Sequence, residues 1–466
     1  MMFADVIVLG AGPGGYSAAF RAADLGKKVV LIDESPTLGG VCLNIGCIPS
    51  KTLLHAALII EEAKHCAQYG VDFAKPAVDL DKLRGCKNNV IRRLTMGLAG
   101  LAKKRKVEVI CGTGKFSSQN QIEVTNANGE TKAITFENCI IATGSKPVNL
   151  PFIPKDERVW DSTSALEVNS IPKKLLVIGG GIIGLEMATV YHALGSKINV
   201  VELMNQLIPG LDGDVVKPLQ QFVSKKYAQI LLNTKVTSVE AKADGLLVAF
   251  ANATDNVQLV PELFDAVLVA VGRFPNSESF AIEKAQITVD AKGFIPVNSQ
   301  MQTNIPHIYA IGDVIGNPML AHKATFEGRL AAEVIAGHIR TFDAKCIPSV
   351  AYTDPEVASV GLTENEAKKQ GLNYSKGIFP WMASGRSLSL GRNEGMTKLI
   401  FDAVSHKVLG GSCVGSNAGE LIAEIALAVQ NDLTAEAITS TIHPHPTLCE
   451  TVALAAEAFE GTITDL

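Results

Sequence analysis

The sequence contains no run of the roughly 18 consecutive apolar residues that a membrane span needs, and no basic segment precedes residues 6–9 as a signal peptide would require. A soluble, cytoplasmic protein without a membrane partner is the expectation. Low-complexity blocks are also absent. With 47% hydrophobic and 19% charged residues in 466, the composition excludes a disordered chain and provides material for about three domains with large cores. Charge of one sign is missing as well. A net charge of −5 offers none of the positive field that phosphate backbones attract, and the one basic run, Lys103-Lys104-Arg105-Lys106, reads as a solvated helix end. Nucleic acid is therefore not an expected partner, and no metal centre is expected. The nine cysteines are odd in number and mostly far apart, which excludes a disulfide-stapled secreted framework. Only Cys42 and Cys47 stand close together.

What is present begins at residue 5. Val6-Ile7-Val8-Leu9 reads as a buried strand, Gly10-Ala11-Gly12-Pro13-Gly14-Gly15 as a tight turn, and a helix should follow to about Leu25. Residues 29–32 form a second strand that ends on Asp33, the acidic residue expected about 20 positions after the glycines. Glycines let the backbone approach a pyrophosphate, the helix N-terminus offers unpaired N–H groups to its charge, and Asp33 can accept from ribose hydroxyls. Shifted by 169 positions the pattern returns, with Gly179, Gly181 and Gly184 matching Gly10, Gly12 and Gly15, and Glu202 matching Asp33. One such motif is weak evidence, but two copies with flanking strands and terminal carboxylates predict two nucleotide sites. Leu203, Met204 and Asn205 follow Glu202, so no nearby arginine pairs with a 2′-phosphate, and NAD is favoured over NADP at the second site.

Cys42 and Cys47 lie in Gly39-Gly40-Val41-Cys42-Leu43-Asn44-Ile45-Gly46-Cys47-Ile48-Pro49-Ser50-Lys51. Thiols five apart on an undistorted helix are too widely separated for a disulfide, and Gly46 and Pro49 supply the irregularity that brings them closer. Pro49 fits a helix's first turn, which places Cys47 beside the positive end of the helix dipole, where a thiolate is stabilised. A dithiol opening off the first nucleotide unit points to a cycling disulfide. Nicotinamide moves hydride and dithiols exchange electrons through sulfur, so a flavin relay makes the first nucleotide FAD.

Near the end stands His443-Pro444-His445-Pro446-Thr447-Leu448-Cys449-Glu450, followed by an alanine-rich helical pattern over residues 452–459. Thiol chemistry at neutral pH needs a proton acceptor near pH 7, and a histidine oriented by a carboxylate supplies one. His445 and Glu450 are candidates for that pair. Thr447-X-X-Glu450 also matches a capping box, and His443 satisfies the spacing equally well.

With these residues in view, the chain resembles the dihydrolipoamide dehydrogenase family within the pyridine nucleotide-disulfide oxidoreductases, over nearly its whole length. The resemblance is carried by residues 10–15, Gly39-Gly40-Val41-Cys42, Cys47-Ile48-Pro49-Ser50-Lys51, Ala142-Thr143-Gly144-Ser145 and residues 179–186. It continues through Val271-Gly272-Arg273-Phe274-Pro275-Asn276, Ile311-Gly312-Asp313, and residues 318–324, 352–358 and 443–450. The Ile-Pro-Ser-Lys ending is more similar to the lipoamide enzymes than to glutathione reductases, and the extra C-terminal cysteine pair of mercuric reductases is absent. Val41 stands where the family commonly has threonine, and Cys449 where it has serine.

The resemblance implies an α/β fold of two Rossmann-like dinucleotide-binding domains plus a C-terminal α+β dimerisation domain. Residues 1–147 would form the FAD domain, 148–273 the NAD domain, 274–346 a return to the FAD side, and 347–466 the interface domain. It implies Cys42 as the interchange thiol, Cys47 as the flavin-side thiol, and His445 over His443 as the base, with Glu450 orienting it. In the implied homodimer His445 reaches the flavin site of the partner chain, and Lys51 and Glu186 form an ion pair beside the flavin. FAD, tightly held and one per subunit, would contact Gly10, Gly12, Gly15, Asp33, Gly40, Lys51, Gly114, Thr143, Gly144, Ser145, Asp313, Met319, Leu320, Ala321 and His322. NAD as co-substrate would contact Gly179, Gly181, Gly184, Glu186, Glu202, Val236 and Gly272. The implied activity is oxidation of protein-bound dihydrolipoamide with reduction of NAD. Its partners would be lipoyl domains and the core of a 2-oxo acid dehydrogenase complex or glycine cleavage system. Alternatives are another NAD(P)H-dependent FAD disulfide reductase, an NADH oxidase or transhydrogenase-like flavoprotein with passive cysteines, and a non-catalytic nucleotide sensor.

Overall fold

The continuous apolar run at residues 6–9 is buried on both faces of a sheet. Ile7 and Leu9 pack into one core with Phe116, Ile134 and Ile141, while Val6 and Val8 pack into another with Ala18, Ala19 and Leu330. Such two-sided burial is the reason for an unbroken apolar strand in place of an alternating one. The computed structural model describes residues 2–466.

The chain forms two compact units. The first comprises residues 1–52, 79–148 and 272–343, and the second residues 53–78, 149–271 and 344–466. In the first, the strand Met2–Leu9 pairs in parallel with Val29–Asp33 on one side and Thr131–Ile141 on the other. Glu108–Cys111 extends the sheet beyond Val29–Asp33, and Ile308–Ala310 adds in parallel to Thr131–Ile141. Helix Pro13–Asp24 makes the crossover between the first two strands, and helix Leu80–Lys104 ends at the exposed basic run.

In the second unit, Lys174–Ile178 is the central strand of a parallel sheet, flanked by Lys197–Val201 and Ala266–Val269. Helix Ile182–Ala193 is its crossover. The repeat at a spacing of 169 is therefore a repeat of strand, glycine turn, helix and strand. An antiparallel sheet of five strands follows in the order Ser349–Ala351, Glu356–Gly361, Val408–Gly415, Met396–Asp402, Tyr374–Pro380. Helices Ala418–Gln430 and Glu450–Glu460 pack on it through a core that includes Trp381, Phe379, Phe401, Ile422 and Val452.

One helical run, Gly40–Tyr69, is long and apolar enough by length and composition to cross a membrane, with 33% of its most apolar window buried. A core helix passes the same test. The run holds Cys42, Cys47 and Lys51, and Glu61 near its end pairs with Lys64 and Lys226.

The second nucleotide segment and the C-terminal segment lie in the same compact unit, and a buried charge cluster joins them. Lys398 is 1% exposed, and its Nζ lies 3.1 Å from Asp212, 2.8 Å from Asp214 and 2.7 Å from Glu364. Asp212 also accepts the N–H groups of Glu364 and Asn365. Three carboxylates that can come together around a metal are here neutralised by a lysine. Burial works against ionisation of Glu364, but hydrogen bonds from Lys368, Lys376 and Lys398 hold its carboxyl well below the usual range.

Replacing Lys398 with methionine leaves the buried Asp212 without a counter-charge and should cost about 3–5 kcal/mol, read as a lower urea midpoint. Because the folded-state value of Glu364 lies below its unfolded value of about 4.3, its contribution is present above that pH and is lost as pH falls further. Acid titration of unfolding should show that loss in the unaltered protein and a smaller one in Lys398→Met.

Candidate active site

Both glycine turns are shaped by backbone that approaches too closely for a side chain. A Cβ on Gly15 would lie 1.8 Å from the Gly10 carbonyl oxygen, and one on Gly184 would lie 2.2 Å from that of Gly179. Above Gly12 and Gly181 the space is open. These two residues are the N-caps of their helices, and neither helix has a side-chain cap, so first-turn N–H groups remain available to an anion. The acidic residues close each turn in the same way. Asp33 accepts the Ala11 N–H at 2.6 Å and the Ser35 N–H at 2.8 Å, and Glu202 accepts those of Gly180 at 2.6 Å and Met204 at 2.8 Å. Burial pushes the Asp33 carboxyl above its ordinary value, against the pull of the Ala11 and Ser35 N–H groups. Each cradle fits a pyrophosphate over the turn and a ribose at the carboxylate.

The two cysteines meet because the helix breaks between them. Cys42 sits in the short helix Gly40–Ile45, Gly46 departs from helical geometry at φ −143° and ψ −113°, and a new helix, Cys47–His65, starts at the second cysteine. A Cβ on Gly46 would come within 2.8 Å of the Val41 carbonyl oxygen, so only glycine permits the close return. The side chains of Cys42 and Cys47 are hydrogen-bonded to one another. That hydrogen bond, and then burial, push the Cys42 thiol far up, with Lys51 opposing them. Cys47 is the first residue of its helix, a position where the helix dipole favours a thiolate. Cys139 and Cys413 are fully buried, and burial pushes the Cys413 thiol to about 12.

The remaining first-unit candidates are spread along the same sheet ends. Gly114 lies on the strand Thr113–Ser118, with its Cα backed by Leu9. Thr143 donates to the Asn276 carbonyl at 2.7 Å, and the Asn276 N–H donates to Gly144 at 2.9 Å. The Ser145 hydroxyl donates to the Asp313 carboxylate and itself accepts from Arg273 Nε at 2.7 Å. Arg273 also donates to the Ser145 carbonyl. Sequence reading assigned Arg273 no role, although it stands in a quoted motif. Met319 and Leu320 lead into helix Ala321–Ile335, with His322 exposed in its first turn. Gly40 faces Gly12 closely enough that its Cβ would lie 2.6 Å from the Gly12 Cα.

In the second unit, Glu186 is 3% exposed on helix Ile182–Ala193 and accepts the Tyr352 N–H at 3.1 Å. Val236 lies on the strand Thr234–Lys242 at a break in register. Gly272, at the start of the first unit's last segment, has φ +127° and accepts the Val148 N–H.

The structure separates the two histidines that spacing alone could not. His443 is 9% exposed and uses both ring nitrogens, Nε2 with Glu424 at 2.6 Å and Nδ1 with the Thr441 carbonyl at 2.8 Å. His445 is 79% exposed and engages only Nδ1, with Glu450 at 2.9 Å. Among the described residues nothing binds its Nε2, which leaves that nitrogen for a substrate proton. Glu450 is engaged twice: one oxygen holds His445, and the other accepts the Thr447 N–H while the Thr447 hydroxyl accepts the Glu450 N–H. A cavity of about 560 Å³ beside this dyad is lined by Phe379, Ile442, His443 and Glu457 among others. Cys449 is half-buried, with its sulfur 3.0 Å from the Thr447 hydroxyl.

Residues 4–328 match the model of the pyridine nucleotide-disulphide oxidoreductases, and residues 347–456 match the dimerisation domain of the same family. The chain belongs to the pyridine nucleotide-disulphide oxidoreductases. The family carries FAD and NAD(P), and its dimerisation domain supports a homodimer. This member is 58% identical over 464 residues to the dihydrolipoyl dehydrogenase of Vibrio cholerae, covering 99% of this chain and 97% of that one. It is 56% identical to the dihydrolipoyl dehydrogenase of Haemophilus influenzae, at 99% and 96% coverage. Among solved structures it is similar to LpdA of Mycobacterium tuberculosis, with a TM-score of 0.89 and 25% identity over 98% and 99% of the two chains. It is also similar to the HOCl-induced flavoprotein disulfide reductase RclA of Escherichia coli, with a TM-score of 0.86 and 26% identity over 98% and 99%.

Gly46→Val should keep the thiols apart. After mild oxidation, thiol titration of the unaltered protein should show two fewer than its nine cysteines, whereas Gly46→Val should retain all nine.

Proposed function

We propose that the protein is a dihydrolipoyl dehydrogenase that oxidises protein-bound dihydrolipoamide to lipoamide and reduces NAD. The observation that carries this reading is 58% identity along nearly the full chain to an enzyme of that name, joined to a dithiol pair at Cys42 and Cys47. Bound FAD would supply the two-electron relay between the dithiol and the nicotinamide. Gly10, Gly12, Gly15 and Asp33 would hold it, one tightly bound molecule per subunit, with Asp313 positioned by Ser145 and Arg273.

His445 Nε2 takes the proton from a substrate thiol, and Glu450 stabilises the imidazolium that results. The substrate thiolate attacks the Cys42 sulfur of the oxidised pair, forming a mixed disulfide and releasing Cys47 as thiolate. Attack of the second substrate thiol on its own mixed-disulfide sulfur releases lipoamide and leaves Cys42 as a thiol. Two electrons have then entered the cysteine pair, and two protons have been left with Cys42 and His445. The helix start at Cys47 stabilises the thiolate in this state. In the homodimer, His445 serves the cysteine pair of the partner subunit.

Glu202 supports NAD over NADP. Its carboxylate, held at the second glycine turn, would repel a 2′-phosphate, and the exposed Leu203 and Met204 beside it bring no cation. The lipoyl groups would be carried by another chain of a 2-oxo acid dehydrogenase complex or glycine cleavage system, in the cytoplasm.

Anaerobic titration with dihydrolipoamide should produce a long-wavelength thiolate-to-flavin absorption band, and its absence would overturn the role given to Cys47. His445→Gln should slow flavin reduction by dihydrolipoamide roughly 10²- to 10⁴-fold while leaving reduction by NADH intact. Equal loss in both directions would remove His445 from the thiol half-reaction. Full NADH-dependent turnover with dihydrolipoamide's disulfide form in Cys42→Ser would favour a flavoprotein that bypasses the dithiol.

A further inference from the structure

A buried ion pair stands behind the turn that presents Asp313. Lys323 and Glu327 lie one turn apart on helix Ala321–Ile335, with side chains 7% and 2% exposed and 2.9 Å between Nζ and Oε1. Helix stability does not account for the pair. Lysine is the N-terminal partner and sits in the helix's first turn, which is the less favourable order for an i,i+4 pair and the wrong sign for the dipole. A buried ion pair is also weak as a source of global stability, because desolvation offsets much of its attraction.

The pair instead grips one residue, Gly312, at both its N–H and its carbonyl. Glu327 Oε2 accepts the Gly312 N–H at 2.8 Å, while Lys323 Nζ reaches the carbonyls of Gly312 at 3.5 Å and Gly316 at 3.4 Å. Residues 312–315 form the short helical turn between these points, and Asp313 is its second residue. The same helix is locked to the first glycine turn, since a Cβ on Gly328 would lie 2.4 Å from the Gly14 carbonyl oxygen. Helix Ala321–Ile335 thus contacts the pyrophosphate cradle with one residue and the Asp313 turn with two.

We propose that Lys323 and Glu327 are positioning residues for FAD, fixing the Asp313 turn relative to the pyrophosphate cradle so that both ends of the cofactor's polar chain are met at once. This rests on the reading of the first cradle as an FAD site. The pair acts through Gly312 and Asp313 and touches no reacting atom.

The test measures FAD affinity of the apoprotein by flavin fluorescence quenching, together with the melting temperature with and without FAD. Glu327→Gln, which leaves a buried cation unpaired, should weaken FAD binding by about tenfold or more and shrink the FAD-induced rise in melting temperature. The double variant Lys323→Met with Glu327→Gln restores neutrality and keeps an acceptor for the Gly312 N–H, and should recover to within about threefold of the unaltered affinity. A merely structural pair would lower the apoprotein's melting temperature and leave the FAD-induced rise unchanged. That result, or a double variant no better than Glu327→Gln, would overturn the proposal. Failure of the unaltered chain to take up FAD would overturn the cofactor assignment, and this proposal with it.

Discussion

The constraint on which the rest depends is the set of backbone N–H groups left without intrahelical partners where helices Pro13–Asp24 and Ile182–Ala193 begin. A parallel sheet delivers each helix start to the carboxyl end of a strand whose last four residues are buried, and close backbone packing of Gly15 and Gly184 on the preceding turn brings the amides together. The carboxylates of Asp33 and Glu202 tie each turn shut through the N–H of the next residue. Anion binding is therefore a property of the fold at two places, and everything redox-active in the chain is arranged in relation to the first of them.

The dithiol depends on a second backbone event. Helical geometry keeps residues five apart on separate turns, and the single break at Gly46 removes that separation while starting a new dipole at Cys47. One local irregularity thus sets both the proximity of the sulfurs and the placing of Cys47 at a helix start. At the C-terminal end, proline-fixed chain and a doubly used Glu450 present one histidine nitrogen outward while Glu424 and Thr441 occupy both nitrogens of its neighbour.

The large fold elements and the two glycine turns with their carboxylates were legible because they rest on local pattern: apolar runs, glycine spacing, and an acidic residue about 20 positions on. The cysteine break was legible for the same reason, since Gly46 and Pro49 lie inside the motif itself. What escaped reading involves partners distant in the chain. Lys398 meets acids at 212, 214 and 364, and these contacts join the second nucleotide segment to the C-terminal sheet. Arg273 supports Ser145 across 128 positions, and Glu327 reaches back to Gly312 in a direction its own helix does not specify.

The sequence by itself determined two glycine turns closed by carboxylates, a cysteine pair with its second member at a helix start, and a histidine and carboxylate near the C-terminus, because each depends on residues close together in the chain. Only the tertiary structure decided that Glu450 meets His445 and Thr447 at once, that His445 and not His443 has a free nitrogen, and that a lysine fills the Asp212, Asp214 and Glu364 cluster. Those outcomes turn on which polar groups are buried together and which remain open to solvent, and spacing along the chain carries no information about that.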